Sequence, residues 1–147
     1  MRILPKILAL VVVVALSPIA AHARTRDKWL SYYPAVVELT GTLRIVPMFG
    51  PPNYGENPES DSRLKVPVLD LVSPINVRGD PSSNINSQSF RGLTRVQLDC
   101  YTVEMRKRIN DLAGSEVVVV GSLFQAITAR HYTPVVLFVE EIRRADR

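Results

Sequence analysis

Alternation of apolar and polar side chains is the dominant pattern in most of the chain beyond residue 36. In Val37–Ile45, apolar residues and one glycine alternate with Glu, Thr and Arg. Period-two alternation predicts a strand with one buried face and one face in solvent. In-phase apolar positions recur in Val66–Val77, Thr94–Cys100 and Glu116–Phe124, and Pro134–Ile142 is a fifth strand, apolar on both faces at its centre. The sequence therefore predicts five strands.

The period changes once, between the third and fourth predicted strands. Across Tyr101–Ala113 the apolar residues fall at helical spacing, and charged residues occupy the other positions. Thr102 suits the N-cap of such a helix, and Gly114 suits its end, because glycine readily adopts the left-handed conformation found there. One helix is predicted here.

The element order is β-β-β-α-β-β, which is the order of a small five-stranded OB-like barrel, with its helix between the third and fourth strands. Gly41 and Gly121 lie on the apolar faces of the first and fourth strands. A glycine in mid-strand often marks a sharp bend at a barrel corner, so matched bends favour closure. The fold class expected is mainly β with one helix, and an α+β split sheet is the alternative.

Residues 1–23 have the pattern of a secretory signal peptide. Arg2 and Lys6 precede the apolar stretch Ile7–Leu16, and Ala21 and Ala23 supply the small residues of a cleavage site. The apolar run is about half of the roughly 20 residues that a spanning helix needs. We expect cleavage after Ala23, no membrane span in the mature protein, and a periplasmic or secreted location.

The remaining chain divides into a lead-in at 24–35, a domain at 36–144 and a tail at 145–147. The lead-in segment Asp27–Tyr33 suggests a helical turn. The formal net charge of +4 falls by two when Arg2 and Lys6 leave with the leader. No strong basic stripe remains, which disfavours nucleic-acid binding. Cys100 is the one cysteine, and its phase in the third strand predicts that it is buried rather than paired between chains.

Two predicted loops carry the candidate binding residues. In the 50–56 loop two prolines stiffen the chain around Asn53 and Tyr54, so Tyr54 either contacts a partner or folds back over one end of the barrel. In the 125–134 loop Arg130, His131 and Tyr132 could contact an anion, a sugar or a protein. OB barrels commonly bind their ligands beside this last hairpin.

Known catalytic and metal-binding patterns are missing from the sequence. A lone His after the leader, with no set of cysteine partners, does not make a zinc site, and no nucleophile-elbow motif or phosphate-binding glycine loop occurs. We therefore expect no catalytic residues, no metal and no cofactor.

Three stretches, GPPNYGE, VLDLVSPINV and SLFQAITARHYTPVVLFVEEI, together resemble a bacterial exported domain family of unknown function. The resemblance spans roughly Val37–Ile142 and implies two signatures, a Gly-Pro-Pro-Asn-Tyr loop at Gly50–Tyr54 and a His-x-Thr-Pro-Val strand at His131–Val135. This chain departs from the family at four positions where many relatives have histidines: Gln125, Ile127, Arg130 and Tyr132. The family implies export and a domain type, but no activity.

Two classes of function remain open. The first is a non-catalytic exported module that contacts a periplasmic or secreted protein through the 50–56 and 125–134 loops, for example as an inhibitor or an immunity protein. The second is a domain that binds a small anion or glycan. A partner-binding module predicts a flat surface with exposed aromatic residues, whereas a ligand binder predicts a concave site with convergent polar groups.

Overall fold

The computed structural model describes residues 28–146, so the predicted leader and its cleavage site lie outside the described residues. These residues form one sheet of six strands and one helix. The elements are β1 (Trp29–Ser31), β2 (Val36–Phe49), β3 (Arg63–Arg78), β4 (Phe90–Asp99), α1 (Val103–Asp111), β5 (Glu116–Gln125) and β6 (Val135–Arg144). Within 28–146, no helix is both long enough and apolar enough to cross a membrane.

The prediction of five strands is wrong by one, because β1 lies in the lead-in where a helical turn was expected. β1 pairs in parallel with the end of β3, where Trp29 lies opposite Asn76 and Ser31 opposite Arg78. The Trp29 ring also lies under the guanidinium carbon of Arg78, 5.1 Å from the ring centroid. Three residues are too few to show an alternation, so only pairing with a distant strand identifies β1.

The other five strands pair in a closed circuit. β2 is antiparallel to β3 and to β5, β5 is antiparallel to β6, β6 is parallel to β4, and β4 is antiparallel to β3. The order of elements agrees with the β-β-β-α-β-β prediction once β1 is set aside.

The two strand glycines lie where neighbouring backbones approach closely. Gly41 is paired with Val117, and Gly121 is paired with Val37. A Cβ on Gly121 would collide with the carbonyl oxygen of Phe138. The β5–β6 register also shifts between Val120 and Gly121, so the absence of a side chain lets β6 bend across β5 at this point.

The core lies inside the circuit and is built from the in-phase apolar residues of the strands. Cys100 belongs to it at 9 % exposure, in agreement with the predicted phase. α1 contributes Ile109, which is 1 % exposed. Thr102 is the N-cap, since its hydroxyl oxygen accepts a hydrogen bond from the Met105 N–H, and Gly114 with φ of 82° follows the helix end.

Candidate functional site

The loop between β2 and β3, residues 50–62, is called the Tyr54 loop below, and it folds around a buried carboxylate. Asp61 Oδ1 accepts a hydrogen bond of 2.7 Å from the Asn53 N–H, and Oδ2 accepts one of 2.7 Å from the Gly55 N–H. Burial raises the pKa of Asp61, but the donors at Gly55, Asn53 and Asn57 together outweigh it, and the pKa lies below its ordinary value. Asp61 therefore holds the shape of this loop as a carboxylate.

The loop between β5 and β6, residues 126–134, is called the Tyr132 loop, and it is held against β4 by Gln97. The Gln97 Nε2 donates to the Arg130 carbonyl at 3.1 Å, and Oε1 accepts from the Tyr132 N–H at 2.8 Å. The Gln97 N–H donates to Thr133 Oγ1, which donates in turn to the Val135 carbonyl. Gln97 is 7 % exposed, so the loop covers what would otherwise be a solvent-facing position of β4.

The two loops meet. Tyr132 Oη donates a hydrogen bond of 2.5 Å to the carbonyl of Phe49, the last residue of β2 before the Tyr54 loop. The pKa of Tyr132 is raised, first by burial and then by the nearby phenol of Tyr54. The two loops that the sequence singled out therefore lie on the same side of the molecule.

Most of the predicted contact residues make hydrogen bonds within their own loops. Asn53 Nδ2 donates to Ser60 Oγ at 3.3 Å. His131 Nδ1 accepts a hydrogen bond from the Ile127 N–H at 3.1 Å, inside its own turn. These contacts stabilise the loops, while the Arg130 side chain is exposed. A binding role for Asn53, Tyr54, Arg130, His131 and Tyr132 stays a prediction.

Beside the Tyr132 loop lies a cleft of about 1190 Å³, called the basic groove below. Its walls come from β2, the start of β3, the end of β4, α1, the Tyr132 loop and β6. Lys65, Arg106 and Arg130 bring three positive charges to its lining, and Asp99 brings one negative charge. Among residues 28–146 none of the three cations forms an ion pair. The groove is therefore a positively charged concave surface whose cations are available to a ligand.

A row of aromatic rings leads to the rim of the groove. Tyr101 stacks on Phe138 with 4.5 Å between ring centroids, and both residues line the groove. Phe138 packs edge-on against Phe124, and Phe124 stacks with Tyr33, each at 5.4 Å. Tyr101 is 85 % exposed, so its ring offers a stacking surface at the rim.

Reasoning from the sequence missed the two residues that organise the site. Gln97 occupies a polar position of an alternating strand, which normally faces water, and only the returning Tyr132 loop buries it. Asp61 follows several turn-forming residues in the sequence. That position is the one sequence feature that could have indicated its role in ordering the loop. Within the described part of the chain, no three His, Cys, Asp or Glu side chains are grouped so that they could hold a metal ion.

Comparison with known proteins finds a family match for part of this region. The chain has no match among curated proteins. The matched segment, residues 95–143, runs from β4 through α1 and β5 into β6. It therefore contains Gln97 and the Tyr132 loop and leaves out the Tyr54 loop. The Gly-Pro-Pro-Asn-Tyr and His-x-Thr-Pro-Val signatures stay predictions. Residues 95–143 match the family model of a domain of unknown function, DUF4431.

Proposed function

We propose that this protein is an exported, non-catalytic binding module that holds a protein partner in the basic groove, beside the joined Tyr54 and Tyr132 loops. The closed circuit of β2 to β6 would be an OB-like barrel, and the last hairpin of such barrels commonly flanks the ligand surface. The groove, with three positive charges that have no ionic partner among residues 28–146, is the observation on which the proposal rests.

The rigidity of the groove wall supports this proposal. The Tyr132 loop is tied to Gln97 by two side-chain hydrogen bonds and to Phe49 by the Tyr132 hydroxyl. A wall that is already ordered loses little conformational entropy when a partner binds, so more of the contact energy appears as affinity. The exposed ring of Tyr101 adds an aromatic contact of the kind that is enriched at protein interfaces.

A small anion or glycan is the second candidate, and the concave shape of the groove favours it. Polar groups from Lys65, Gln97 and Arg130 line a single cleft, as they do in ligand sites. The cleft is, however, somewhat larger than the roughly 300–1,000 Å³ typical of small-molecule sites. Its size therefore fits a segment of polypeptide better than a single small ligand.

The test is affinity capture from a periplasmic extract with three forms of the purified protein. The first is the wild type, and the second carries Lys65→Glu and Arg130→Glu in the groove. The third carries Lys28→Glu and Lys107→Glu, which change the net charge equally but lie outside the groove lining. Circular dichroism of all three shows whether each is folded.

The proposal expects a protein that is held by the wild type and by the Lys28→Glu, Lys107→Glu control, but not by the groove variant. Equal capture by all three forms would show that the working surface is elsewhere. If no protein is captured, the partner proposal fails, and native mass spectrometry of the purified wild type then tests for a small bound ligand.

A further inference from the structure

One wall of the basic groove is the edge of a strand. β3 pairs with β2 over the whole stretch from Arg63 to Leu71, but its pairing with β4 begins only at Val68. Among residues 28–146, the first five residues of β3 therefore have a strand neighbour on one side only. Residues of β4 and α1 line the same groove.

Hydrogen bonds at the loop end of the β2–β3 hairpin show which backbone groups of this edge are free. Ser62 donates its N–H to the Pro51 carbonyl, and its carbonyl accepts from the Gly50 N–H, so both groups point toward the β2 side. Backbone groups alternate in direction along an antiparallel strand, and the β2–β3 register has no shift from Arg63 to Leu71. The N–H and C=O groups of Arg63 and Lys65 therefore point away from β2, and Lys65 is one of the residues that line the groove.

The position of Pro67 independently supports these directions of the backbone groups. By the same alternation its nitrogen points away from β2, so the missing N–H removes no hydrogen bond from the β2–β3 ladder. Proline and lysine are also residues that protect exposed strand edges from uncontrolled pairing. With Lys65 and Pro67 here, the edge disfavours a neutral or basic strand and leaves pairing open to an acidic one.

The charges that line the groove indicate the charge of the segment that it binds. Three cations and one carboxylate line the groove, which gives it a net charge of about +2. Two free N–H donors, at Arg63 and Lys65, and the matching carbonyls are what a strand-adding peptide uses. We infer that the groove binds an extended acidic segment of a protein partner, which pairs with residues 63–67 of β3 as an added strand. The inference rests on the proposed function and specifies the chemistry of the partner.

The probe is a fluorescein-labelled peptide, Glu-Val-Glu-Val-Glu, titrated into the purified wild-type protein by fluorescence anisotropy. Two controls carry the same charges and side chains but are N-methylated, one on its Glu residues and the other on its Val residues. In a given register, either the Glu N–H groups or the Val N–H groups of the peptide point toward β3, but not both. A Lys-Val-Lys-Val-Lys peptide tests the sign of the charge.

We expect Glu-Val-Glu-Val-Glu to bind. One methylation pattern should weaken its affinity about tenfold, and the other should weaken it less. The lysine peptide should not bind. Amide exchange followed by NMR should slow about tenfold at Arg63 and Lys65 when the peptide is added, while Leu64 and Val66, which point to β2, should be protected in both states.

Two results would overturn the inference: no binding of the acidic peptide, or equal binding of all three acidic peptides, which would mean attraction by charge alone. Either result leaves the proposed function standing if the Lys65→Glu, Arg130→Glu variant still loses its captured protein. Failure of that capture difference would remove the proposed function itself, so the two failures are distinguishable.

Discussion

Replacing Gln97 by leucine tests whether one buried amide orders the wall of the groove. In the wild type this side chain donates to the Arg130 carbonyl and accepts from the Tyr132 N–H. Leucine has a similar size but can make neither bond. Both backbone groups of the Tyr132 loop would then lose their partner, while the hydrogen bond from the Gln97 N–H to Thr133 would remain.

The magnitude follows from the two lost bonds. Each hydrogen bond of this kind contributes about 1 kcal/mol net, so the free energy of unfolding should fall by about 2 kcal/mol. For a domain of this size each kcal/mol corresponds to about 4 °C, so the melting temperature should fall by about 8 °C. Because the lost bonds belong to the loop, the free energy of local loop opening should fall by more than the free energy of global unfolding. Hydrogen exchange at residues 130–133 should therefore accelerate most.

The assay combines urea unfolding, followed by circular dichroism, with hydrogen exchange measured by mass spectrometry. Gln88→Leu is the matched control, because that side chain is exposed, and its replacement should change stability by about 0.5 kcal/mol or less. A loss below about 0.5 kcal/mol for Gln97→Leu, or unchanged exchange at residues 130–133, would refute the argument that Gln97 holds the loop.

Three further predictions concern the sheet. The pKa of Asp70 is lowered, mainly by the hydrogen bond from Arg95, so this carboxylate stabilises the fold at neutral pH and loses that effect as pH falls below about 4. Because the arginines that contact Asp70 are substantially exposed, Asp70→Asn should cost at most about 1 kcal/mol in urea unfolding at pH 7 and less near pH 3; a cost that grows on acidification would contradict this. Gly121→Ala should destabilise the protein by about 1–3 kcal/mol, since its Cβ would meet the Phe138 carbonyl, and an unchanged urea midpoint would show that β6 can move aside. Cys100 should react slowly with a thiol reagent in the folded protein and fully in urea, and a disulfide-linked dimer on a non-reducing gel would show that the thiol is accessible.

Strand positions followed well from alternation, but strand ends did not. The predicted strand Val37–Ile45 is observed as Val36–Phe49, and the predicted strand Val66–Val77 as Arg63–Arg78. Most of the added residues extend the β2–β3 hairpin toward its loop, and this extension carries the open edge of the groove. Its residues include prolines and charged side chains, which are typical of loops when only near neighbours are considered, and only pairing along the hairpin makes them strand.

The phase of β6 shows the same limit. Its centre is apolar on both faces, so the sequence left the inward face unresolved. In the structure Val135, Val136 and Leu137 are all fully buried. The middle residue, Val136, pairs with Gln97 and belongs to the same face of the sheet, which lies near the returning Tyr132 loop. A second covering element, distant in sequence, is therefore the reason that β6 is apolar on both sides.

By itself the sequence determined the approximate positions of five of the six strands and of the helix, where the helix begins, which face of each alternating strand is buried, and which loops are chemically distinctive. These features depend on neighbours within a few residues, through side-chain periodicity and the capping of backbone groups. The tertiary structure alone decided the pairing of β1, the burial of Gln97 and Asp61, the meeting of the two loops and the open edge of β3. The contacts of Asp61 lie within one loop but depend on how that loop closes. The other features depend on contacts between residues far apart in the chain, and local preferences carry no information about such contacts.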